Sequence, residues 1–206
     1  PIEVAQVYNA IANGGIHRAL HAVQAVVTHD GKVLPHAPRE ARRAADAAAV
    51  YQLNRMLTQV MSHGTGSAAA ALLPAGLVTA GKTGTSSDLR DSWLAGFSGS
   101  HLIVVWIGHD DNAPTGLTGS LAALPVWSKL MGRIGTQSWS APMPDSLEEV
   151  WVDYETGLIA EPGCAEVVIP VVVPRGTPLD HAFGCWTPNL GRFRDRVRAW
   201  WQRVTD

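Results

Sequence analysis

The sequence is poor in lysine and cysteine and carries almost no net charge. Its 16 basic and 18 acidic residues leave a formal charge of −2, which gives no general electrostatic reason to bind nucleic acid. Its longest apolar run, LIVVWIG at 102–108, is far shorter than the roughly 18 residues of a membrane span. A run of this length favours a strand instead.

The chain contains only two cysteines, Cys164 and Cys185. Two cysteines cannot form a cysteine-only zinc site, because a structural zinc ion takes four ligands. They can form one disulfide in an oxidising compartment, or remain as two buried thiols. The residues alone leave both possibilities open.

The chain of 206 residues is long enough for one domain, or for one domain with an appendage. A hydrophobic content of 46% against 17% charged residues is typical of a folded globular chain. We predict one portion at 1–135 and a linker with a C-terminal extension at 136–206, where the composition shifts toward proline and short apolar runs.

Apolar periodicity and turn residues predict the elements of both portions. We expect a hairpin at 21–34 around Asp30-Gly31, and short strands and turns over 147–188. The predicted strands of the first portion are 78–86, 91–98 and 101–108. The predicted helices are 2–12, 44–64, 119–134 and, in the tail, 192–206. The predicted apolar face of the second helix consists of Val50, Leu53, Leu57, Val60 and Met61.

Lys82 is one of only three lysines, and it lies among glycines and threonines in AGKTGT at 80–85. Gly76, with Gly81-Lys82-Thr83 after it, matches the phosphate-binding pattern G-x-x-x-x-G-K-[ST]. That pattern requires a buried strand before its first glycine and a helix that begins at the lysine. Pro74 stands where the strand should be, so the context argues against nucleotide binding, which is kept as a minor alternative.

The other interpretation is a strand at the edge of a sheet. Lys82 and Gly84 then lie on one side of the strand, and Thr83 and Thr85 lie on the other. Such an edge can offer backbone N–H groups, hydroxyls and an ammonium group to an extended peptide that ends in a carboxylate. The K-T-G motif also occurs among penicillin-recognising enzymes.

Two other groups of residues give weaker signals. His17 and His21 follow the glycines that end the first helix, and His109-Asp110-Asp111 shows no recognised metal-ligand spacing. We therefore expect no metal and no cofactor. Asp91-Ser92 lacks the G-x-S-x-G context of a hydrolase. We interpret Asp91 as a turn residue and Trp93 as part of the core.

Five short segments occur in a fixed order along the chain: IANGG (11–15), HGTG (63–66), AGKTGT (80–85), DSWLAGF (91–97) and VWIGHDD (105–111). In this order and spacing they resemble the last third of the transpeptidase domain of class A penicillin-binding proteins. The resemblance covers 1–135, and the loop DDNAPTGLTGS makes the chain most like the 1B subtype. More weakly, VDYETGLIAEPGC and PRGTP resemble the C-terminal extension of that family.

The resemblance implies an α+β fold, namely part of the penicillin-binding transpeptidase (serine β-lactamase-like) fold, with an antiparallel sheet packed with helices. A small, irregular β extension follows. The implied enzyme is a peptidoglycan D,D-transpeptidase. A serine attacks a stem peptide ending in D-Ala-D-Ala, the acyl group passes to an amine of a neighbouring strand, and β-lactams acylate the same serine.

The resemblance also implies roles for single residues. Lys82 would assist proton transfer and attract the substrate carboxylate, and Thr83 and Thr85 would bind that carboxylate through their hydroxyls. Gly84 would form part of the substrate-binding strand. The backbone N–H of Thr85 would be half of the oxyanion hole.

The family's S-x-x-K and S-x-N motifs do not occur in the sequence. The resemblance places them before Pro1, together with a glycosyltransferase domain and a membrane anchor. We therefore expect the chain to be the C-terminal part of a longer enzyme, inactive alone, at the periplasmic face of the bacterial inner membrane.

The expected partners are stem peptides, β-lactams and the upstream part of the same protein, and no nucleic acid. This oxidising location favours a Cys164–Cys185 disulfide. The alternative is a non-catalytic remnant or interaction module.

Overall fold

A computed structural model describes residues 1–35, 40–161 and 167–181. The chain divides into two compact units, Pro1–Pro144 and Asp145–Asp206. The functional division that we predict at residue 135 stays a prediction. The elements of the first unit are the helices α1 (Ile2–Ala12), α2 (Ala47–Ser62) and α3 (Ala123–Arg133) and the strands β1 (Ile16–Arg18), β2 (Ala41–Arg43), β3 (Ala80–Thr85), β4 (Ser92–Phe97) and β5 (Leu102–Ile107). Along these three described ranges, no helix is long and apolar enough to cross a membrane.

The central sheet of the first unit is antiparallel, in the order β3-β4-β5. Its three strands lie inside the predicted ranges, so the strand predictions are confirmed with narrower bounds. The register pairs Lys82 with Ala95, and it aligns Gly84, Trp93 and Trp106 in one row across the sheet. Among the described strands β3 pairs with β4 alone, which leaves its other side as an edge.

One face of the sheet packs against α3. Leu94 of β4 and Leu124, Trp127 and Met131 of α3 are all buried in one cluster. Burying each such side chain stabilises the fold by roughly 1.5 to 3 kcal/mol. The Trp127 indole N–H donates to the Ile103 carbonyl oxygen at 3.1 Å, so the polar atom of the ring is also satisfied.

The opposite face of the sheet packs against α1 and α2. Successive side chains of a strand alternate between faces, so Phe97 points away from the side that Leu94 occupies. Phe97 and Ala80 are buried with Leu57 of α2, and Tyr8 and Ile11 of α1 pack against them. Helices therefore cover parts of both faces, and the predicted α+β arrangement is confirmed.

Helix α2 buries three of the five predicted apolar-face residues, and the prediction is wrong for Leu53, which is 38% exposed. Asn54 takes a buried place on the helix instead. Its side-chain amide donates to the Ile11 carbonyl oxygen at 3.0 Å and so joins α2 to α1. Hydrophobicity alone could not indicate this polar contact between helices. The correctly predicted residues are Val50, Leu57 and Met61.

Helix α3 begins at Ala123, later than the predicted residue 119. The side chain of Ser92 on β4 explains the difference. Its hydroxyl donates to the Thr118 carbonyl oxygen at 2.9 Å and accepts from the Ala123 N–H at 3.1 Å. The first N–H groups of a helix lack partners within the helix. A buried strand residue therefore satisfies one of them and fixes where α3 begins.

The predicted hairpin at 21–34 reduces to a single bridge between Val27 and Val33 around the Asp30-Gly31 turn. The apolar residues of this segment are exposed, so no buried face favours a longer ladder. The pairing of β1 with β2 was not predicted at all. These strands have three residues each, too few to show an alternating pattern in the sequence.

The second unit contains an antiparallel pair, β6 (Leu147–Asp153) and β7 (Val168–Pro174). Pro170 lies within β7 opposite Trp151. Among the described strands β7 pairs with β6 alone, and a strand that pairs on one side only tolerates proline. The predicted tail helix at 192–206 lies outside the described residues, as do Cys164 and Cys185.

We predict that Cys164 and Cys185 form a disulfide in exported protein. The bond would close a loop of about 20 residues, which the chain-entropy model values at roughly 3 kcal/mol. Alkylation of the unreduced protein followed by mass spectrometry measures the free thiols, and we expect no label on either cysteine. Labelling of both cysteines would contradict the bond.

Candidate active site

Lys82 lies in the middle of β3 with an exposed side chain. Gly76 occupies a turn with a φ of +75°, before the strand begins. The next helical segment is a single 3-10 turn at Ser87–Leu89, so no helix begins at the lysine. Because phosphate binding by this motif needs a helix N-terminus there, the nucleotide-binding alternative is wrong.

The free edge of β3 exposes the peptide groups of Thr83 and Thr85. In an antiparallel pair, alternate residues exchange hydrogen bonds with the partner strand. The Ser86 N–H donates to the Asp91 carbonyl oxygen at 3.1 Å, which sets the phase of this alternation. Gly84 and Lys82 therefore bond to β4, and the N–H and C=O groups of Thr83 and Thr85 point away from it. Their amides lie along the edge with which no described strand pairs.

The side chains at this edge form a polar row. The Lys82 ammonium donates to the Thr83 carbonyl oxygen at 2.9 Å and lies 3.5 Å from the Thr83 hydroxyl. The Thr83 hydroxyl is 2.8 Å from the Thr65 hydroxyl, in the turn after α2. The Thr85 hydroxyl accepts from the Gly119 N–H at 3.0 Å. One edge thus combines a cation, hydroxyls and outward amides.

Glycine at position 119 permits the backbone of its loop to lie close against the backbones of β3 and β4. A Cβ atom built on Gly119 would lie 2.6 Å from the carbonyl oxygens of both Gly84 and Trp93. Real Cβ atoms do not come that close, so position 119 requires glycine. The backbone that lies close to Gly84 on this face of the strand therefore belongs to the loop at Gly119.

Asp91 supports the strand end beside the site. Its carboxylate accepts from the Trp106 indole N–H and from the Ser86 hydroxyl, both at 2.8 Å. It therefore joins the β3–β4 turn to β5, in agreement with its interpretation as a turn residue.

Trp93 is half-buried and contacts Trp106 with ring centroids 6.1 Å apart, so its predicted place in the core is wrong. Ser92 is fully buried, which argues against a hydrolase nucleophile there.

The hydrogen bond from Trp106, followed by those of Ser86 and the nearby Arg90 charge, holds the pKa of the Asp91 carboxyl below its ordinary value. A lowered pKa means that ionised Asp91 stabilises the fold above its unfolded-state pKa of about 3.9. That stabilisation is lost as the pH falls through the lower pKa of the folded state.

We predict that Asp91→Asn lowers the melting temperature at neutral pH and makes its decline below about pH 4 shallower. The measurement is the melting temperature against pH of the intact protein, meaning the whole gene product that contains this chain. The exposed Asp110 provides the matched control, Asp110→Asn. An Asp91→Asn curve parallel to that of the parent would contradict the assignment.

In the three described ranges, no group of three His, Cys, Asp or Glu side chains lies close enough together to hold a metal ion.

The predicted site residues Lys82, Thr83, Gly84 and Thr85 share one strand. Sequence reasoning missed two further residues, Thr65 and Gly119. Thr65 belongs to the quoted HGTG segment, but nothing in that segment says which strand it meets. Gly119 is one of several loop glycines.

The first unit and part of the second match known proteins. A family model described as the penicillin binding protein transpeptidase domain matches residues 1–131. Penicillin-binding protein 1B of Escherichia coli (strain K12) is 35% identical over 171 residues, which cover 83% of this chain and 20% of that protein. Penicillin-binding protein 1B of Vibrio cholerae serotype O1 is 33% identical over 147 residues, covering 71% and 19%. The chain thus spans about a fifth of the length of these curated relatives.

A crystal structure of penicillin-binding protein 1A from Haemophilus influenzae superposes on 89% of this chain and 33% of that one, with a TM-score of 0.75. At 20% sequence identity this likeness shows the fold alone. The predicted penicillin-binding transpeptidase fold is therefore confirmed. Together with the family model and the 1B relatives, it shows that the chain belongs to the transpeptidase-domain family of the class A penicillin-binding proteins.

Proposed function

We propose that this chain is the substrate-recognition part of a peptidoglycan D,D-transpeptidase that binds penicillin and cross-links stem peptides. Membership of the family supports the enzyme class. The observation that carries the proposal is the free edge of β3, where the amides of Thr83 and Thr85 point outward beside the Lys82 ammonium. Peptidoglycan stem peptides and β-lactams both present a carboxylate to such an edge.

In the proposed complex, an extended peptide ending in D-Ala-D-Ala lies along β3 as an added strand. The Thr83 and Thr85 hydroxyls and the Lys82 ammonium bind its terminal carboxylate through charge-assisted hydrogen bonds. The Thr85 N–H donates to the oxygen of the carbonyl under attack, where negative charge develops. A positioned donor of this kind lowers the barrier by about 3 kcal/mol.

The reaction proceeds by acyl transfer. A serine oxygen attacks the carbonyl carbon of the penultimate D-Ala, and the peptide bond breaks as the terminal D-Ala leaves with a proton on its nitrogen. An amine of a neighbouring stem peptide then attacks the ester, releases the serine and completes the cross-link. Lys82 assists these proton transfers. Since no serine of the chain has the S-x-x-K context, we propose that another segment of the intact protein supplies the nucleophile.

The family also supports a proposal for location. Class A proteins of this kind work on the periplasmic side of the inner membrane, where peptidoglycan and its precursors are found. We propose the same place for the intact protein, with a glycosyltransferase domain and a membrane anchor in its other segments. An oxidising compartment is also what the predicted disulfide needs.

Peptide competition tests the proposal on the intact protein. A fluorescent penicillin should label it covalently, and a peptide ending in D-Ala-D-Ala with a free carboxylate should slow the labelling. The same peptide with an amidated C-terminus is the matched control and should compete far less, because it offers no anion to Lys82 and the two threonines. Equal competition by both peptides would contradict carboxylate recognition. Absence of any label would favour a non-catalytic remnant.

A further inference from the structure

We propose that Thr65 is a positioning residue that orients the Thr83 hydroxyl toward the substrate carboxylate. This inference rests on the proposed function. Thr65 lies 18 residues before Thr83, outside the strand, yet their hydroxyl oxygens are 2.8 Å apart. At this distance one hydroxyl donates to the other. Thr65 would act on the ligand only through Thr83.

The turn after α2 holds Thr65 in place. The Val60 carbonyl oxygen accepts from the N–H groups of Gly64 at 3.1 Å and Gly66 at 3.0 Å, one on each side of Thr65. A Cβ atom on Gly66 would lie 2.6 Å from the Met61 sulfur, so this turn packs tightly on the helix. These contacts hold the backbone of Thr65 in place, so that its hydroxyl lies beside β3.

The number of available hydrogens determines which hydroxyl donates in the Thr65–Thr83 hydrogen bond when a ligand is present. A hydroxyl has one hydrogen to donate and two lone pairs, whereas an ammonium can only donate. Lys82 therefore cannot accept a hydrogen bond from Thr83. A carboxylate can only accept, so Thr83 binds it with its single hydrogen. In that state Thr65 must be the donor to Thr83, because Thr83 has no second hydrogen for it.

The neighbouring hydroxyl at the same edge shows the same arrangement. Thr85 accepts from the Gly119 N–H at 3.0 Å, which occupies a lone pair and leaves its hydrogen to donate. Thr65 does for Thr83 what this backbone amide does for Thr85. A hydroxyl that accepts one hydrogen bond also becomes a better donor, since bonds in a chain polarise one another. Both threonines would thus present hydrogens to one anion.

The test compares acylation of the intact protein by benzylpenicillin with acylation by its methyl ester, which lacks the anionic carboxylate. We expect Thr65→Val to lower the ratio of the two rate constants about fivefold, as for the loss of one supporting hydrogen bond. Thr65→Ser keeps the hydroxyl and should retain the parent ratio. In a Thr83→Val background, Thr65→Val should cause no further change. Thr58→Val is the matched control, since the Thr58 hydroxyl donates within α2, to the Arg55 carbonyl oxygen at 2.7 Å.

The possible results separate this inference from the function on which it rests. Equal slowing with both compounds would mean that Thr65 serves the fold alone, and would overturn the inference. An unchanged ratio in Thr65→Val, together with a lowered ratio in Thr83→Val, would also overturn it but would leave the proposed function standing. An unchanged ratio in Thr83→Val, or no acylation of the parent, would overturn both.

Discussion

Lys82→Ala and Thr85→Val should each slow acylation of the intact protein by penicillin about a hundredfold, which corresponds to roughly 3 kcal/mol of lost transition-state stabilisation. Lys82→Ala removes the cation that faces the carboxylate and assists proton transfer. Thr85→Val removes a hydroxyl donor from the same edge. It also removes the acceptor of the Gly119 N–H, so the loop that covers Gly84 loses an anchor.

Matched variants separate these roles from general damage to the fold. Lys129 lies on α3 with an exposed side chain, so Lys129→Ala removes one positive charge outside the candidate strand. This variant should be acylated at the parent rate. Thr85→Ser keeps both the donor and the acceptor and should remain within a few fold of the parent. The measurement is the second-order acylation rate constant by rapid-quench labelling, with melting temperatures as the check on folding. Rates of Lys82→Ala and Thr85→Val within twofold of the parent would contradict the assigned roles.

Residues 1–206 expressed alone should give no covalent label with a fluorescent penicillin, whereas the intact protein should give a stoichiometric one. Covalent labelling needs a serine with a base at hydrogen-bond distance. Two serines beside the candidate strand, Ser86 and Ser92, form hydrogen bonds with other groups of the chain. The Ser86 hydroxyl donates to Asp91, and Ser92 is buried beneath the loop at Thr118. The β3 edge alone would bind the drug weakly and reversibly.

The labelling experiment includes its own control. Intact protein and the chain alone are incubated side by side with labelled penicillin, boiled and separated on a gel, and a preincubated excess of unlabelled penicillin should abolish the band. A boiling-stable, stoichiometric band from the chain alone would show that one of its own serines is the nucleophile. The proposed division of the site between segments would then be wrong.

The strands that form the candidate site could be predicted because their signals are local. AGKTGT, DSWLAGF and LIVVWIG each carry a strand pattern, and short turns fix their order. The alternation of Lys82 and Thr83 about β3 follows from strand geometry alone. The family resemblance then supplied the chemistry that an edge with a lysine and two threonines could perform.

Contacts between distant segments could not be predicted in the same way. The Thr65–Thr83 pair, the Ser92 bond that fixes the start of α3, and the Asn54 amide that joins two helices each depend on tertiary placement. Each of these contacts depends on a single polar side chain, and a single residue produces no repeating pattern in the sequence. Helical periodicity also placed Leu53 on the buried face, where the structure buries the adjacent polar Asn54 and leaves Leu53 exposed.

The most direct test of the account is a crystal structure of the intact protein acylated by penicillin. The account predicts a serine ester whose carbonyl oxygen lies about 3 Å from the Thr85 backbone nitrogen. It also predicts that the drug carboxylate lies within hydrogen-bond distance of the Thr83 and Thr85 hydroxyls. An adduct whose carboxylate contacts neither threonine, or whose carbonyl oxygen points away from the edge of β3, would contradict it.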